Sequence, residues 1–396
     1  MESRRDHSQP EPARSVRPIE IGMSATALFQ THFRGATAGR LALAARRLAD
    51  QLLDQPERTV GLSLDAPMTV TGLAVTALVP LLRHGYIDWL AVTGTNLYYD
   101  ALLALRKPVL VSIPAGSEFQ SAARHISAAD REATESTLRE FLAGPDLQKT
   151  MGSAELHDRI GRELRQREKD LGVEYPGLLS TAHELGIPII NPSPAEGPFG
   201  SIIAQLAQVG NRLSIDASLD LNLSAGILNA AASTSERSSC AFWCLGAGVG
   251  ANLMLGSPAH LQRILGRKER GHRPFSLRMA GHAHMHPAGG TEPINPDALW
   301  PTDPAAAGST NRPPADQGPP SGDPDLPQQT PSGAQMAQTE DLALATDLSM
   351  ALPLMTAFLL DRVPPRPLKR LGQRRDDLLD GLRQAQLSST LRRPTL

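Results

Sequence analysis

Residues 59–94 read TVGLSLDAPMTVTGLAVTALVPLLRHGYIDWLAVTG, and they determine the fold class. The first seven residues are apolar at every second position, which predicts a strand. The apolar run at 69–84 has helical spacing, and Gly85 follows it where a helix commonly ends. Residues 86–94 predict a second strand, which a helix from Asn96 follows. Two nearly continuous apolar strands joined by a helix indicate a parallel sheet with helices on its faces.

The same alternation of strands and helices continues after a charged excursion. Residues 127–171 are charged and helical in pattern, with few strand signals. Further strands are predicted at Ile187–Asn191, Arg212–Asp216, Ser239–Leu245 and Phe275–Met279. Helices are predicted at 37–54, from Ser201, at 219–232 and up to Leu265, and ordered structure is predicted to return at 342–360. The chain is therefore predicted to form an α/β fold with a doubly wound, mostly parallel sheet and a helical excursion.

Composition divides the chain into one domain, a tail and an insertion. Residues 1–20 carry charges of both signs and predict a disordered tail. Residues 286–340 are rich in Pro, Gly, Ser, Asp and Gln, and Arg312 is their only Lys or Arg. Such a segment buries too little apolar area to offset its ordering entropy, so a disordered proline-rich insertion is predicted, with a functional loop as the alternative. The rest, 21–285 and 341–396, is predicted to be a single domain.

Charge and hydropathy exclude several classes of protein. The formal net charge is −2 and aromatic residues make up 4%, which argues against a nucleic-acid partner. The N-terminus lacks the apolar segment of a signal peptide, and the apolar runs are shorter than the roughly 20 residues of a membrane span. Cys240 and Cys244 share one face of a predicted strand and are expected in the core. These features predict a soluble, cytoplasmic protein.

Four loops follow predicted strands, where doubly wound sheets bind ligands. Their small residues allow backbone amides to approach a phosphate at a helix N-terminus. None matches the dinucleotide pattern G-x-G-x-x-G, and each equally fits a tight strand-to-helix turn. The loops are DAPMTVT at 65–71, TGTNLYYD at 93–100, SPAEGPFGS at 193–201 and GAGVGAN at 246–252.

A histidine cluster offers an alternative chemistry. His282, His284 and His286 share one face if the chain is extended, and three imidazoles can bind zinc or nickel. No acidic or cysteine partner lies nearby in the sequence, so no metal is expected. Patterns for nucleophilic hydrolases, P-loops and calcium loops are absent from the sequence.

Four blocks, taken in order, resemble the deoxyhypusine synthase family, particularly its bacterial deoxyhypusine synthase-like branch. The blocks are VTALVPLLRHGYIDWLAVTGTNLYYDALLAL, GIPIINPSPAEGPFGS, SCAFWCLGAGVGANLMLGSPAHLQRILG and ATDLSMALPLMTAFLLDR. The resemblance covers most of residues 35–285 and 341–385. It implies a Rossmann-like NAD-binding fold and a homotetramer with active sites between paired subunits. The family's reaction transfers hydride from spermidine to NAD, then moves the aminobutyl group through a lysine imine to an acceptor amine.

On the cofactor side, the resemblance carries over well. Glu196 is acidic where the family has aspartate, and Asp347 is retained, so either could accept hydrogen bonds from ribose hydroxyls. The residues that the resemblance assigns to NAD are Ala66, Pro67, Met68, Thr69, Val70, Thr93, Gly94, Thr95, Glu196, Ala247, Asp347 and Leu348.

On the substrate side, the family's groups are replaced. Tyr98 and Tyr99 stand where the family has an acidic pair, and Ser201 stands in place of an aspartate. Asn252 replaces the family's histidine. The motif that holds the nucleophilic lysine aligns with DALWPT, so Thr302 falls at the lysine position. Threonine cannot form an imine, which requires a primary amine.

Lysine is scarce throughout the chain, which has five in all and none between Lys268 and Lys369. The resemblance therefore leaves two hypotheses open. The first is an NAD-dependent transferase of the alkyl-amine class with an altered substrate, such as a small amine. The second is a catalytically inactive homologue that acts as a binding or assembly partner.

Overall fold

The computed structural model describes residues 18–53, 55–65, 68–107, 110–112, 123–233, 240–266, 274–281 and 341–391. The predictions made for residues 1–17 and 286–340 lie outside this part of the chain. The helices are α1 Ala25–Thr31, α2 Ala36–Leu53, α3 Val79–Arg83, α4 Gly94–Ala104, α5 Ala128–Leu142, α6 Ser153–Asp170, α7 Leu178–Leu185, α8 Pro198–Gln208, α9 Ala217–Ala232, α10 Val249–Leu265, α11 Leu348–Arg362 and α12 Arg375–Leu391. The strands are β1 Thr59–Leu64, β2 Trp89–Val92, β3 Leu110–Ser112, β4 Ala123–His125, β5 Thr150–Met151, β6 Ile189–Ile190, β7 Ser214–Ile215, β8 Cys240–Leu245, β9 Phe275–Ala280 and β10 Asp341–Ala345.

Six strands form the main sheet, in the order β10-β9-β8-β1-β2-β6, and every neighbouring pair is parallel. The chain starts at β1, adds β2 and β6 on one side, and then returns to add β8, β9 and β10 on the other. Counted along the chain, this is the strand order 3-2-1-4-5-6 of the Rossmann fold. The predicted doubly wound, parallel α/β fold is confirmed.

The alternation of side chains along β1 separates two cores, one on each face of the sheet. Val60, Leu62 and Leu64 pack into the core that includes α2 and α11. The opposite core joins Trp89 and Phe242 to residues of α9, α10 and α12. Helices therefore cover both faces, as near-continuous apolar strands require.

A glycine in the centre of β1 makes room for the largest buried side chain on that second face. Gly61 pairs with Trp89 on β2 and with Phe242 on β8. A Cβ at residue 61 would lie 2.7 Å from the indole of Trp89. Trp89 is fully buried and meets Phe242 edge-on, so the ring cannot move aside without disturbing this core.

Two of the predicted elements differ from the structure. The predicted helix at 69–84 is divided into a 3-10 turn at Thr69–Thr71, a π-helical turn at Ala74–Leu78 and α3. Gly72 ends the first turn in the left-handed region, with φ +80°. The strand predicted at 212–216 is only β7, which pairs with β5 outside the main sheet. Apolar spacing does not distinguish 3-10 and π-helical turns from an α-helix, and β7 has only two residues.

The two cysteines lie in the core, as predicted, and the C-terminal segment forms α12. Cys240 and Cys244 are buried thiols on β8, and burial raises the pKa of Cys244 to about 12. Leu371, Leu378 and Leu382 are buried beneath α9 and α10. Within the described ranges, no helix is long and apolar enough to cross a membrane.

Candidate functional site

The candidate site is the crevice beyond the carboxyl ends of β1 and β8. These two strands are adjacent, but their onward connections run in opposite directions across the sheet. Doubly wound sheets bind ligands at this switch point, because the loops separate there and leave a cleft. The loops that begin at Asp65, Thr93 and Gly246 all border this edge of the sheet.

Asp65 closes the β8 side of the crevice. Its carboxylate accepts hydrogen bonds from the backbone N–H of Gly250 at 2.8 Å and of Ala251 at 2.9 Å, both in the first turn of α10. The Asp65 amide also donates to the carbonyl of Leu245 at 2.9 Å. Burial raises the pKa of Asp65, and the amides of α10 oppose that shift by stabilising the carboxylate.

Asn96 holds the β1 and β2 loops together. Its Oδ1 accepts hydrogen bonds from the Thr69 amide at 3.2 Å and the Thr69 hydroxyl at 2.8 Å. Its Nδ2 donates to the Leu64 carbonyl at 3.3 Å and to Thr93 Oγ1 at 2.9 Å. Asn96 is almost fully buried, so this network fixes the backbone of both loops. Met68 and Val70 are the neighbours of Thr69 in the chain, and Thr95 directly precedes Asn96, so these three predicted residues lie in the same two loops.

The loop after β6 packs against the start of α4. A Cβ on Gly94 would overlap the backbone oxygen of Glu196. Gly197 has φ +85°, and a Cβ there would lie 2.9 Å from the Thr95 amide nitrogen. The two glycines therefore bring the backbone of Glu196 next to Gly94 and Thr95, while the Glu196 side chain stays exposed.

Two further hydrogen bonds fix the base of the β6 loop. Asn191 follows β6 directly, and its amide donates to the hydroxyl of Ser153 at 2.8 Å. Its Oδ1 accepts from the Ser193 amide at 3.1 Å. Ser153 opens α6, so the helical excursion supports this loop from outside the sheet.

Asp347 belongs to a different part of the edge. It caps α11 by accepting hydrogen bonds from the hydroxyl of Ser349 at 2.6 Å and from its amide at 2.7 Å. These bonds, with the hydroxyl contributing most, lower the pKa of Asp347. Leu348 is buried in the core beside it, whereas Ala247 is exposed at the end of β8.

Glu196 and Asp347 belong to loops that follow the two edge strands of the sheet, β6 and β10. With strands about 4.8 Å apart, five strand spacings separate these edges by roughly 24 Å. The backbone of Glu196 lies against Gly94 and Thr95 in the loop after β2, one strand nearer to Asp347 than the edge itself.

The predicted substrate residues occupy unlike environments. Tyr98 is buried in the core, edge-on to Phe199 with ring centroids 6.5 Å apart and to Tyr99 at 6.1 Å. Burial, together with the Glu135 carboxylate, raises the pKa of Tyr98 to about 12, so it stays neutral. Ser201 is exposed on α8, and its hydroxyl accepts a hydrogen bond from Gln205 at 3.2 Å.

The described lysines lie away from the crevice or are engaged elsewhere. Lys369 is at the opposite, amino edge of the sheet, where its Nζ donates to Glu57 O at 2.6 Å and to Thr59 Oγ1 at 3.0 Å. Lys149 pairs with Glu155 at 2.7 Å and Lys107 with Asp130 at 3.5 Å. Lys169 is exposed near the end of α6.

Several predicted positions lie outside the described residues: Ala66, Pro67, Lys268, His282, His284, His286 and Thr302. Asn252 is described and is exposed in the first turns of α10. Among the residues that the structure describes, no three His, Cys, Asp or Glu side chains are grouped as metal ligands.

Sequence reasoning identified the loops but not the residues that position them. The only sequence signal for Asp65 and Asn96 is that each is a polar residue that follows an apolar strand. Their partners are far away along the chain, at Gly250 and Thr69. Periodicity carries no information about such contacts.

Comparisons with known proteins agree on one family. The family model described as deoxyhypusine synthase matches residues 28–259. The deoxyhypusine synthase-like protein of Nostoc sp. strain PCC 7120 is 33% identical over 380 residues, which is 94% of this chain and 90% of that protein. The deoxyhypusine synthase-like protein of Thermosynechococcus vestitus is 30% identical over 94% of this chain and 88% of its own length.

A solved structure shares the fold. A crystal structure described as a putative deoxyhypusine synthase from Entamoeba histolytica superposes with a TM-score of 0.53 over 87% of this chain and 96% of that one. The identity is 16%, so this likeness concerns the fold alone.

Proposed function

Because the chain belongs to the deoxyhypusine synthase family, we propose that it is an NAD-dependent transferase of the alkyl-amine class, with a substrate other than spermidine. The observation that carries the proposal is the meeting of the β2 and β6 loops at the carboxyl edge of the sheet. There the first turn of α4 and the backbone of Glu196 are held together by two glycines that tolerate no side chain.

The residues of this meeting point suit part of a dinucleotide. α4 begins at Gly94 without a side-chain cap from Thr93, so its first amides are oriented to donate to an anion. The exposed carboxylate of Glu196 is a suitable acceptor for ribose hydroxyls. We propose that the first turn of α4 at Thr95 and the carboxylate of Glu196 hold NAD, which supplies a hydride acceptor when bound.

The side chains near this loop favour a small amine over a polyamine. A polyamine has several positive charges, and burying them without carboxylates costs several kcal/mol. Tyr98 is neutral and packed in the core, and Ser201 has no charge. A substrate with one cationic group needs fewer carboxylates than a polyamine does.

The alternative function is that of an inactive homologue that acts as an assembly partner. The observation in its favour is the position of the described lysines, which leave the crevice without an imine-forming amine in that part of the chain. A homo-oligomer fits either function. Met350 and Val249, 66% and 37% exposed, present apolar side chains at the N-termini of α11 and α10.

Calorimetric titration of the purified protein with NAD tests the proposal. We expect saturable binding that Glu196→Gln weakens about tenfold, because a ribose hydroxyl loses a charged acceptor. Glu132→Gln, on the exposed surface of α5, is the matched control and should bind as the native chain does. No heat of binding at millimolar NAD would refute the cofactor assignment.

A transfer assay separates the enzyme from the inactive homologue. The protein is incubated with NAD and labelled amines, from monoamines to spermidine, and then treated with borohydride. NADH formation with a small amine but not with spermidine supports the altered-substrate transferase. NAD binding without NADH formation from any amine favours the assembly partner.

A further inference from the structure

The N-terminus of α10 is already occupied by an anion that belongs to the chain itself. The two carboxylate oxygens of Asp65 accept hydrogen bonds from consecutive amides, Gly250 and Ala251, at 2.8 and 2.9 Å. A phosphate at a helix N-terminus uses the same first-turn amides. This helix follows β8 at the switch point, where a dinucleotide-binding sheet receives its ligand.

The glycines of the GAGVGAN loop are explained by Asp65. A Cβ on Gly248 would lie 2.7 Å from Asp65 Oδ1, and one on Gly250 would lie 3.1 Å from it. Both positions therefore have to be small for the carboxylate to reach the helix. Glycines in such a loop often indicate close approach of a phosphate. In this loop they make room for the carboxylate of Asp65 instead.

We propose that Asp65 competes with phosphate groups for the first turn of α10 and thereby limits the affinity of the switch point for dinucleotides. The proposal rests on the proposed function, because it concerns the same crevice. A phosphate and a carboxylate cannot both be bound by the same two amides, since each amide has one hydrogen to donate and like charges repel. A dinucleotide must then either displace Asp65 or keep its phosphates away from α10.

Burial of Asp65 favours its carboxylate over an incoming anion in this competition. Asp65 is partly buried between the two strand ends, and its backbone is tied to Leu245 on β8. The side chain is therefore held next to α10 and does not need to be recruited from solvent. An incoming anion has to replace both of its hydrogen bonds to gain the position.

The test is Asp65→Asn, titrated with NAD and separately with inorganic pyrophosphate at pH 8. An asparagine offers one acceptor and turns its amide donor toward the second helix amide, so it no longer satisfies both amides. We expect pyrophosphate binding that the native chain lacks, and NAD affinity at least about tenfold higher than native, because a like charge is removed.

Asp100→Asn is the matched control. Asp100 accepts hydrogen bonds from two consecutive amides of α7, Leu178 and Leu179, at 2.7 Å each, away from the switch point. The same change there should leave both titrations at native values. Thermal unfolding checks that each variant is folded, and Asp65→Ser replaces Asp65→Asn if the latter is not.

The outcomes separate this inference from the proposed function. The inference is overturned if the folded Asp65 variant binds NAD equally or more weakly than the native protein and gains no pyrophosphate binding. The proposed function still stands in that case, as long as the native protein binds NAD. Gained pyrophosphate binding with no NAD binding by either protein supports competition of Asp65 with phosphate at α10, but it refutes both the effect on dinucleotides and the proposed function. Neither ligand binding to either protein refutes both.

Discussion

The ammonium of Lys369 lies 3.6 Å from the buried carboxylate of Asp88, at the amino edge of the sheet. Asp88 also accepts a hydrogen bond from the Val60 amide at 2.8 Å. Burial raises the pKa of Asp88, and the charges of Lys369 and Arg366 oppose that shift. The pair joins the segment between α11 and α12 to the starts of β1 and β2. This lysine is therefore a structural residue on the opposite side of the sheet from the candidate site.

Lys369→Met should destabilise the protein by about 2 kcal/mol, because it leaves Asp88 buried with only Arg366 as a cationic neighbour. Denaturant unfolding at pH 8 measures the loss. Lys107→Met is the control: its partner Asp130 is partly exposed, so the change should stay within about 1 kcal/mol. Equal losses in the two variants would contradict a special role for Lys369.

A buried carboxylate on α4 predicts a particular pH dependence of stability. Burial raises the pKa of Asp100 from 3.8 to about 7, and the nearby Glu168 carboxylate adds to the shift. Between pH 4 and 7 the folded chain keeps a proton that the unfolded chain releases. This contribution to stability is complete below about pH 4 and is lost as the pH rises toward 7.

Asp100→Asn removes this titration. We therefore expect the difference in unfolding free energy between native protein and variant to shrink steadily as the pH rises from 4 to 7. Asp146→Asn, at an exposed position before α6, serves as the control and should track the native chain at every pH. A native-minus-variant difference that stays constant across this range would sink the assignment.

Gly61→Ala tests the packing of the sheet against Trp89. The added Cβ would lie 2.7 Å from the buried indole, and such overpacking typically costs about 1–3 kcal/mol. Gly256→Ala, inside α10, adds a methyl group with no atom within 4 Å and should instead stabilise the helix by about 0.5–1 kcal/mol. Thermal unfolding of both variants measures the opposite signs, and destabilisation by both would contradict the packing argument.

The fold was predictable because its signal is local. Apolar residues alternate along the six residues of β1, and the four residues of β2 are all apolar. Each strand ends at the residue that follows this pattern. β10 was not predicted, because its five residues, DLALA, alternate too briefly to separate a strand from the start of α11. Its pairing with β9 depends on residues far away in the chain.

The sequence predicted which loops border the site, but not how their side chains are arranged in space. Resemblance assigned Tyr98 to the substrate side, but the helix of α4 turns it into the core against Phe199. Resemblance grouped Glu196 with Asp347, yet strand order places them at opposite edges. Strand order is a global property, so neither spacing nor composition reveals it.

The separation of Glu196 and Asp347 leads to a prediction about assembly. If both carboxylates serve one NAD at a site between paired subunits, as the family resemblance implies, we expect them to come from different subunits, because they follow opposite edge strands of one chain. Mixed oligomers of Glu196→Gln and Asp347→Asn then contain two kinds of shared site. One kind carries both substitutions, and the other carries neither.

Co-expression of the two variants with different tags, followed by sequential affinity purification, isolates these mixed oligomers. Calorimetry should find about half the native number of NAD sites with native affinity, although each variant alone binds weakly. If both residues acted within one chain, every site would carry one substitution and none would recover. A mixed oligomer with no recovered site, next to a native protein that binds NAD, would therefore refute the shared site without affecting the cofactor assignment.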